Sequence, residues 1–242
     1  MGIFNVAITG LNAAQVGILT TNHNIANAST EGYNRQQIVQ STNTPMFTGS
    51  GYIGQGTNVL TVRRIYDQQL NEQVMAASTG AAEMDSYLSQ IGQIDNLLAD
   101  PSAGLSPALS SFFSAVQEMA ANPASIPARQ GMLSASQALV SRFQSIDQRM
   151  TEIRGGVNAM VTSEVTAINS YAQQIAEINQ RIILAQAAGP NQPPNDLLDQ
   201  RDQLVADLNT KIRATTITQN DGTYSVFIGN GQPLVIGTLP YS

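Results

Sequence analysis

His23 is the only histidine in the chain and lies between Asn22 and Asn24. A zinc site needs three or four His, Cys or carboxylate ligands at recurring spacings, and none stand near it in sequence. Cysteine is absent, which excludes disulfides and thiolate metal sites. A nucleophile triad would call for a strained turn of the G-x-S-x-G kind, and the sequence has none. Gly51, Gly54 and Gly56 approach the spacing of a dinucleotide loop but miss it. The residues after them read as a strand, where that loop must open a helix, so they support a flexible loop. Asp196, Asp199 and Asp202 recur at i, i+3 and i+6 around Arg201. In a first helical turn such carboxylates serve the helix dipole. Glycoside hydrolysis needs two of them facing each other across a cleft, and these three belong to one short helix expected to be exposed. No catalytic residue, metal ligand or cofactor-binding residue is therefore assigned, and the reading is of a protein that is not an enzyme.

The composition points to packing. Apolar residues make up 42 % of the 242 positions, enough for a core, and charged residues only 12 %, about half the usual share. Asn and Gln together number 43 against 28 charged residues. Amide-rich faces can be buried against a partner without the desolvation penalty of ions. The net charge is −6, Lys211 is the single lysine and the ten arginines are scattered, so no basic face for nucleic acid is visible. No Asp, Glu, Lys or Arg precedes Glu31, whereas a secretory signal needs a positive start. Asn5, Asn12, Gln15, Asn22, Asn24 and Asn27 interrupt the same stretch and argue against membrane insertion. Export would need a route other than a cleaved signal.

The elements follow from periodicity. Residues 3–28 carry a heptad with Phe4, Leu11, Ile18 and Ile25 at one position and Ala7, Ala14, Thr21 and Ala28 at the other. Large residues alternating with small ones let helices approach closely. Gly10 and Gly17 each cost about 1 kcal/mol relative to alanine, so the helix is marginal alone and expected to need neighbours. Residues 1–30 are then mobile in the isolated chain; burial of this helix in the protein's own core is the alternative. Residues 36–40 and 56–62 read as short strands around a glycine-rich loop. A helix follows over about 64–99, with the seam Leu70, Val74, Met84, Leu88, Ile91 and Leu98, ended by Asp100-Pro101. Ser106-Pro107 opens another, as cap and first-turn proline, burying Leu109, Phe112, Phe113 and Val116 up to Asn122-Pro123. The longest runs over 126–188, with a phase slip and an expected bend after Gly155-Gly156. Turns at Gly189-Pro190 and Pro193-Pro194 precede a helix capped by Asn195. From Ile212 the period becomes two, with turns at Asn220-Asp221-Gly222 and Gly229–Gly231. The expected fold is mainly α: a long-helix, coiled-coil-like bundle with an N-terminal amphipathic helix, a short β segment near 31–62, and the start of a β-rich region. The expected division is 1–32, 33–210 and 211–242.

The segment Asn24-Ile25-Ala26-Asn27-Ala28-Ser29-Thr30-Glu31-Gly32-Tyr33-Asn34-Arg35-Gln36 is similar to the N-terminal signature of flagellar rod, hook and hook-associated proteins. Asn24, Ile25, Ala26, Asn27, Thr30, Gly32 and Tyr33 carry the match. Two further stretches agree, Val62-Arg63-Arg64-Ile65-Tyr66-Asp67-Gln68 and Asn195-Asp196-Leu197-Leu198-Asp199-Gln200-Arg201-Asp202. Together they resemble the hook-associated protein 1 family of hook–filament junction subunits most closely. The resemblance implies an extracellular flagellar protein, exported by the flagellar type III apparatus without a cleaved signal. Its implied partners are copies of itself, the hook protein and a second hook-associated junction protein. The terminal helices of such chains pair in assembly, which makes Phe4, Ala7, Leu11, Ala14, Ile18, Thr21 and Ile25 the expected assembly seam. Family chains continue through a β domain and return with C-terminal helices, where the export chaperone binds; this chain reads as an N-terminal fragment lacking that region. A hook or rod protein is the nearest rival reading, disfavoured by the long bundle at 126–188. A surface adhesin and a rod-associated muralytic enzyme are more distant ones.

Overall fold

The computed structural model describes residues 3–99, 104–189, 192–229 and 231–241. The expected breaks at Asp100-Pro101 and Pro190, and the middle of the expected turn at Gly229–Gly231, lie outside them. Five helices and eight strands occur among the described residues: α1 (Ile3–Ala26), α2 (Gln68–Ala99), α3 (Leu105–Ala121), α4 (Ile126–Ala188) and α5 (Asn195–Lys211); β1 (Gln36–Thr42), β2 (Met46–Phe47), β3 (Tyr52–Ile53), β4 (Thr57–Arg64), β5 (Ala214–Thr218), β6 (Tyr224–Ile228), β7 (Gln232–Ile236) and β8 (Leu239–Pro240). The chain is mainly helical, with a β-rich end, as its periodicity requires. It divides into two compact units, Met1–Thr79 with Ala167–Ser242, and Gly80–Thr166.

In the first unit the core lies where the end of α4, α5 and the C-terminal sheet meet. Ala172, Ile175, Ala176, Val205, Leu208, Val226, Leu234 and Val235 form it, with Met75 of α2 packed at its edge. The α4 residues recur at three and four, which aims one helical stripe at the sheet. Strands β5 to β8 pair antiparallel in chain order. Asn179 sits wholly buried in this apolar stripe with every polar atom used. Its Nδ2 donates to the carbonyls of Tyr224 (2.9 Å) and Gly237 (2.6 Å), and its Oδ1 accepts from the Tyr224 amide (3.1 Å) and Arg201 (3.3 Å). A buried amide satisfied in this way avoids the desolvation penalty and pins helix to sheet.

The N-terminal part is a helix on a two-stranded ribbon. β1 and β4 pair antiparallel from Gln36↔Arg64 to Thr42↔Thr57, with a bulge at Val39/Gln40, and β2 with β3 extends the loop between them. α1 lies against this ribbon. Ala13 is its buried residue, and Thr9 Oγ1 accepts the Thr57 amide at 3.3 Å. Gly56, at φ +85°, lies so close to Val6 and Thr9 that a side chain there would collide with Thr9. In place of a partner helix, α1 has the ribbon as its neighbour within the chain, which a search for helical seams does not reveal.

In the second unit α2, α3 and α4 carry apolar seams that stay largely uncovered. Met84, Leu88, Phe113, Phe143 and Met160 are all exposed. The expected burial of Leu109, Phe112, Phe113 and Val116 is corrected, because α3 has no buried residue among those described. Period identifies the apolar face but not what covers it. The α3 cap also differs. Gly104 is the N-cap without a side-chain bond, so Ser106 and Pro107 fall inside the first turn, where a missing N–H still costs no helical hydrogen bond. α2 begins at Gln68 instead of 64, since Arg64 finishes β4 and Asp67 Oδ1 accepts the Leu70 amide at 3.0 Å as a cap. α4 runs unbroken through Gly155-Gly156, because glycine weakens a helix without removing a donor.

Candidate assembly surface and the polar junction behind it

Three stretches far apart in sequence meet in the first unit. The first is the end of α1 and the turn after it. Asn24 Nδ2 donates to the Gln36 carbonyl at 2.9 Å, while its Oδ1 accepts the Tyr33 hydroxyl at 2.7 Å and the Gln36 amide at 2.8 Å. One side chain thus closes the loop from helix to strand. Burial, with help from Asp196 and Asp199, holds the Tyr33 phenol above its ordinary value, so it stays a donor. Gly32 has φ +75°, and a Cβ there would collide with Gln203 of α5. Glycine supplies both the left-handed turn and the close approach.

The second stretch is the end of β4 and the third the start of α5. Arg64 Nη1 lies 2.7 Å from Asp199 Oδ1 and 2.6 Å from Asp202 Oδ2, with side chains only 11 %, 6 % and 8 % exposed. The Asp202 contact is an ion pair without an aligned hydrogen bond at Oδ2. Asp199 also accepts the Asn34 amide at 2.9 Å and Asn34 Nδ2 at 2.8 Å. Burial works against the Arg64 charge, but Asp202 and Asp199 outweigh it and raise its pKa. Asn195 is corrected as a cap: Pro194 holds that position, and Asn195 Nδ2 donates instead to the Val62 carbonyl at 2.9 Å. Asp196 Oδ1 accepts Gln36 Nε2 at 2.6 Å and lies 3.2 Å from His23 Nε2. His23 also rests edge-on against Tyr33. The view of Asp196, Asp199 and Asp202 as an exposed dipole cluster is likewise corrected, since Asp199 and Asp202 are buried. Arg201 is buried over the Tyr224 ring at 3.4 Å and donates to the Gly222 carbonyl at 2.7 Å. Burial depresses its pKa against the pull of Tyr224 and Asp202.

Residues 91–242 match the family described as the flagellar hook-associated protein FlgK helical domain. The chain belongs to that family. Across 98 % of its length it is 38 % identical to flagellar hook-associated protein 1 of Salmonella typhimurium and 34 % identical to that of Escherichia coli K12, covering 43 % of each. It also superposes on the solved flagellar hook junction protein FlgK from Burkholderia pseudomallei with a TM-score of 0.62 at 37 % identity, over 70 % of this chain and 30 % of that one. The chain thus spans less than half the length of the curated relatives it matches.

In this FlgK-family chain the ribbon holds α1 by one side, the polar junction holds its C-terminal end, and the other side is left open. Phe4, Leu11, Ile18 and Ile25 are 79 %, 68 %, 62 % and 69 % exposed. Ala7, Ala14 and Thr21 are exposed on the same helix. Val6, Thr9, Ala13, Val16, Gly17, Thr20, His23 and Asn24 are the α1 residues withdrawn from solvent among those described. Of the signature residues, Asn24, Asn27, Gly32 and Tyr33 are half-buried in the junction, while Ile25, Ala26 and Thr30 face outward. Arg64, Asn34, Asp199 and Asp202 are the junction residues that sequence reasoning did not single out as a set. The available signal was that three family stretches contain them. No group of three His, Cys, Asp or Glu among the described residues could hold a metal ion, and no described helix is long and apolar enough to cross a membrane.

Proposed function

We propose that this chain is part of a structural subunit of the bacterial flagellum that assembles at the hook–filament junction and acts by packing geometry, without catalysis. The observation that carries the reading is the α1 face of Phe4, Leu11, Ile18 and Ile25, left open to solvent while the opposite face is fixed to the ribbon. Large contiguous apolar faces on a folded chain mark surfaces that another chain covers. Ala7, Ala14 and Thr21 lie between the large residues, so a neighbouring helix can approach closely. The occupants are copies of the same protein, the hook protein and a second hook-associated junction protein. The subunit reaches the cell exterior through the flagellar type III apparatus without a cleaved signal, and its chaperone acts on a part of the family's longer chains beyond these residues. In functional terms 1–32 is the axial assembly segment, 33–210 the helical layer and 211–242 the root of an outer β domain. The match over 91–242 supports a junction protein over a hook or rod protein.

The test is a chimera in which these 242 residues replace the corresponding part of a full-length relative, expressed in cells lacking their own junction protein. Filaments attached to hooks are the expected outcome. Bare hooks alongside normal export of the chimera would contradict it.

A further inference from the structure

The apolar core of the first unit contains no described residue of α1 or of the ribbon that carries it; its members come from α4, α5, the C-terminal sheet and the edge of α2. The N-terminal part is fastened to that core by a dense set of polar, directional contacts, beside a smaller apolar meeting of Val16 and Val62 with Pro194 and Leu197. Asn34 and Arg64 meet Asp199, and Arg64 meets Asp202. Asn195 holds the Val62 carbonyl, Gln192 holds the Leu60 carbonyl at 2.9 Å, and Asp196 holds Gln36 and His23. Hydrophobic burial is proportional to area and indifferent to direction, so it cannot set the angle of a part that takes no share in the core. Hydrogen bonds and ion pairs do have direction. A buried ion cluster, moreover, adds little net stability once desolvation is counted, and its best-attested use is to select one arrangement over others.

We infer that Arg64, Asp199 and Asp202 are positioning residues that fix the orientation of α1 and its ribbon relative to the α4–α5 core, and contribute orientation more than stability. Arg64 is suited to this because its Nη1 sits between two carboxylates on successive turns of α5. Asp199 is suited because it also reads the backbone and side chain of Asn34, so strand end and signature turn are set by one carboxylate. That the oriented face is the assembly face rests on the function proposed above; the orientation itself does not.

Distance measurement between spin labels tests it directly, because the chain has no cysteine and two introduced thiols label uniquely. Gln15→Cys on α1 and Gln173→Cys on α4 are both exposed positions within the same unit. The parent should give one narrow distance distribution. The variant Arg64→Met/Asp199→Asn removes one charge of each sign, keeps Asp202 for the buried Arg201, and leaves an acceptor for the Asn34 amide. It should melt at the parent temperature or above and lose the single narrow distance. Arg64→Lys keeps the charge but has a shorter reach and lacks the planar guanidinium, and should fold while broadening the distribution. An unchanged narrow distance in both variants would overturn the inference. So would a melting temperature that falls steeply in both, which would make the cluster a stability element. If the distance broadens and the chimera carrying the same changes still attaches filaments, the orientation role stands and the assembly role of α1 fails.

Discussion

Asn24 makes three hydrogen bonds across the turn that joins α1 to β1, one of them to a phenol that burial keeps protonated. Removing them leaves two donors and one acceptor short, so Asn24→Ala should cost about 1–3 kcal/mol in denaturant unfolding, against almost nothing for Asn22→Ala on the exposed side. Tyr66 and Tyr224 supply a pH signature. Burial, with Asp202 in support, raises both phenols above their ordinary value near 10. The unfolded chain therefore loses these protons first. The associated stability is complete below about pH 10 and is lost as pH rises beyond it. Melting followed from pH 8 to 11 should show that decline, and Tyr66→Phe with Tyr224→Phe should flatten it. At this scale the sequence was least legible. The separations from Arg64 to Asp199 and from Asn34 to Asp199 are 135 and 165 residues, and neither period nor local spacing carries such a pairing. The i, i+3, i+6 carboxylates were visible; that a cation 135 residues away buries two of them was not.

Helices and strands were legible because each announces itself locally. The threefold and fourfold spacing along α2 and α4, the prolines near 123 and 194, and the switch to alternation after Ile212 all survive in the structure. Coverage was not legible. The seam of α4 is exposed at Phe143 and Met160 yet fully buried at Ile175 and Ile182, although the pattern is the same in both halves. What differs is the presence of α5 and a sheet opposite the second half. α1 shows the same limit, since the stripe that packs is Val6–Thr9–Ala13–Val16 and the stripe with the larger residues is the one left open. Two adjacent alanines separate the faces. Ala13→Leu should overpack the ribbon contact and cost about 1–3 kcal/mol, while Ile175→Ala should cost about 2–5 kcal/mol as a core truncation. Both are read by chemical denaturation of the isolated chain, and equal stability of Ala13→Leu and the parent would remove the ribbon as the partner of α1.

In the molecule as a whole, the residues that form the core and the residues proposed to carry assembly are different sets. The core of the first unit takes no described residue from α1; by the proposals above, the polar junction aims α1 and the open face of α1 meets other subunits. Composition agrees with that division: 12 % charge and 43 amides suit surfaces that other chains cover. Ala14 is the position where these claims meet, being small, exposed and flanked by Leu11 and Ile18 on the open face. The decisive measurement compares Ala14→Leu with its parent in the full-length chimera, by melting temperature of the purified subunit and by electron microscopy of hooks from cells that export it. The account predicts an unchanged melting temperature, normal export and hooks without filaments. Filaments attached as in the parent would contradict it, as would a melting temperature lowered as far as Ile175→Ala lowers it.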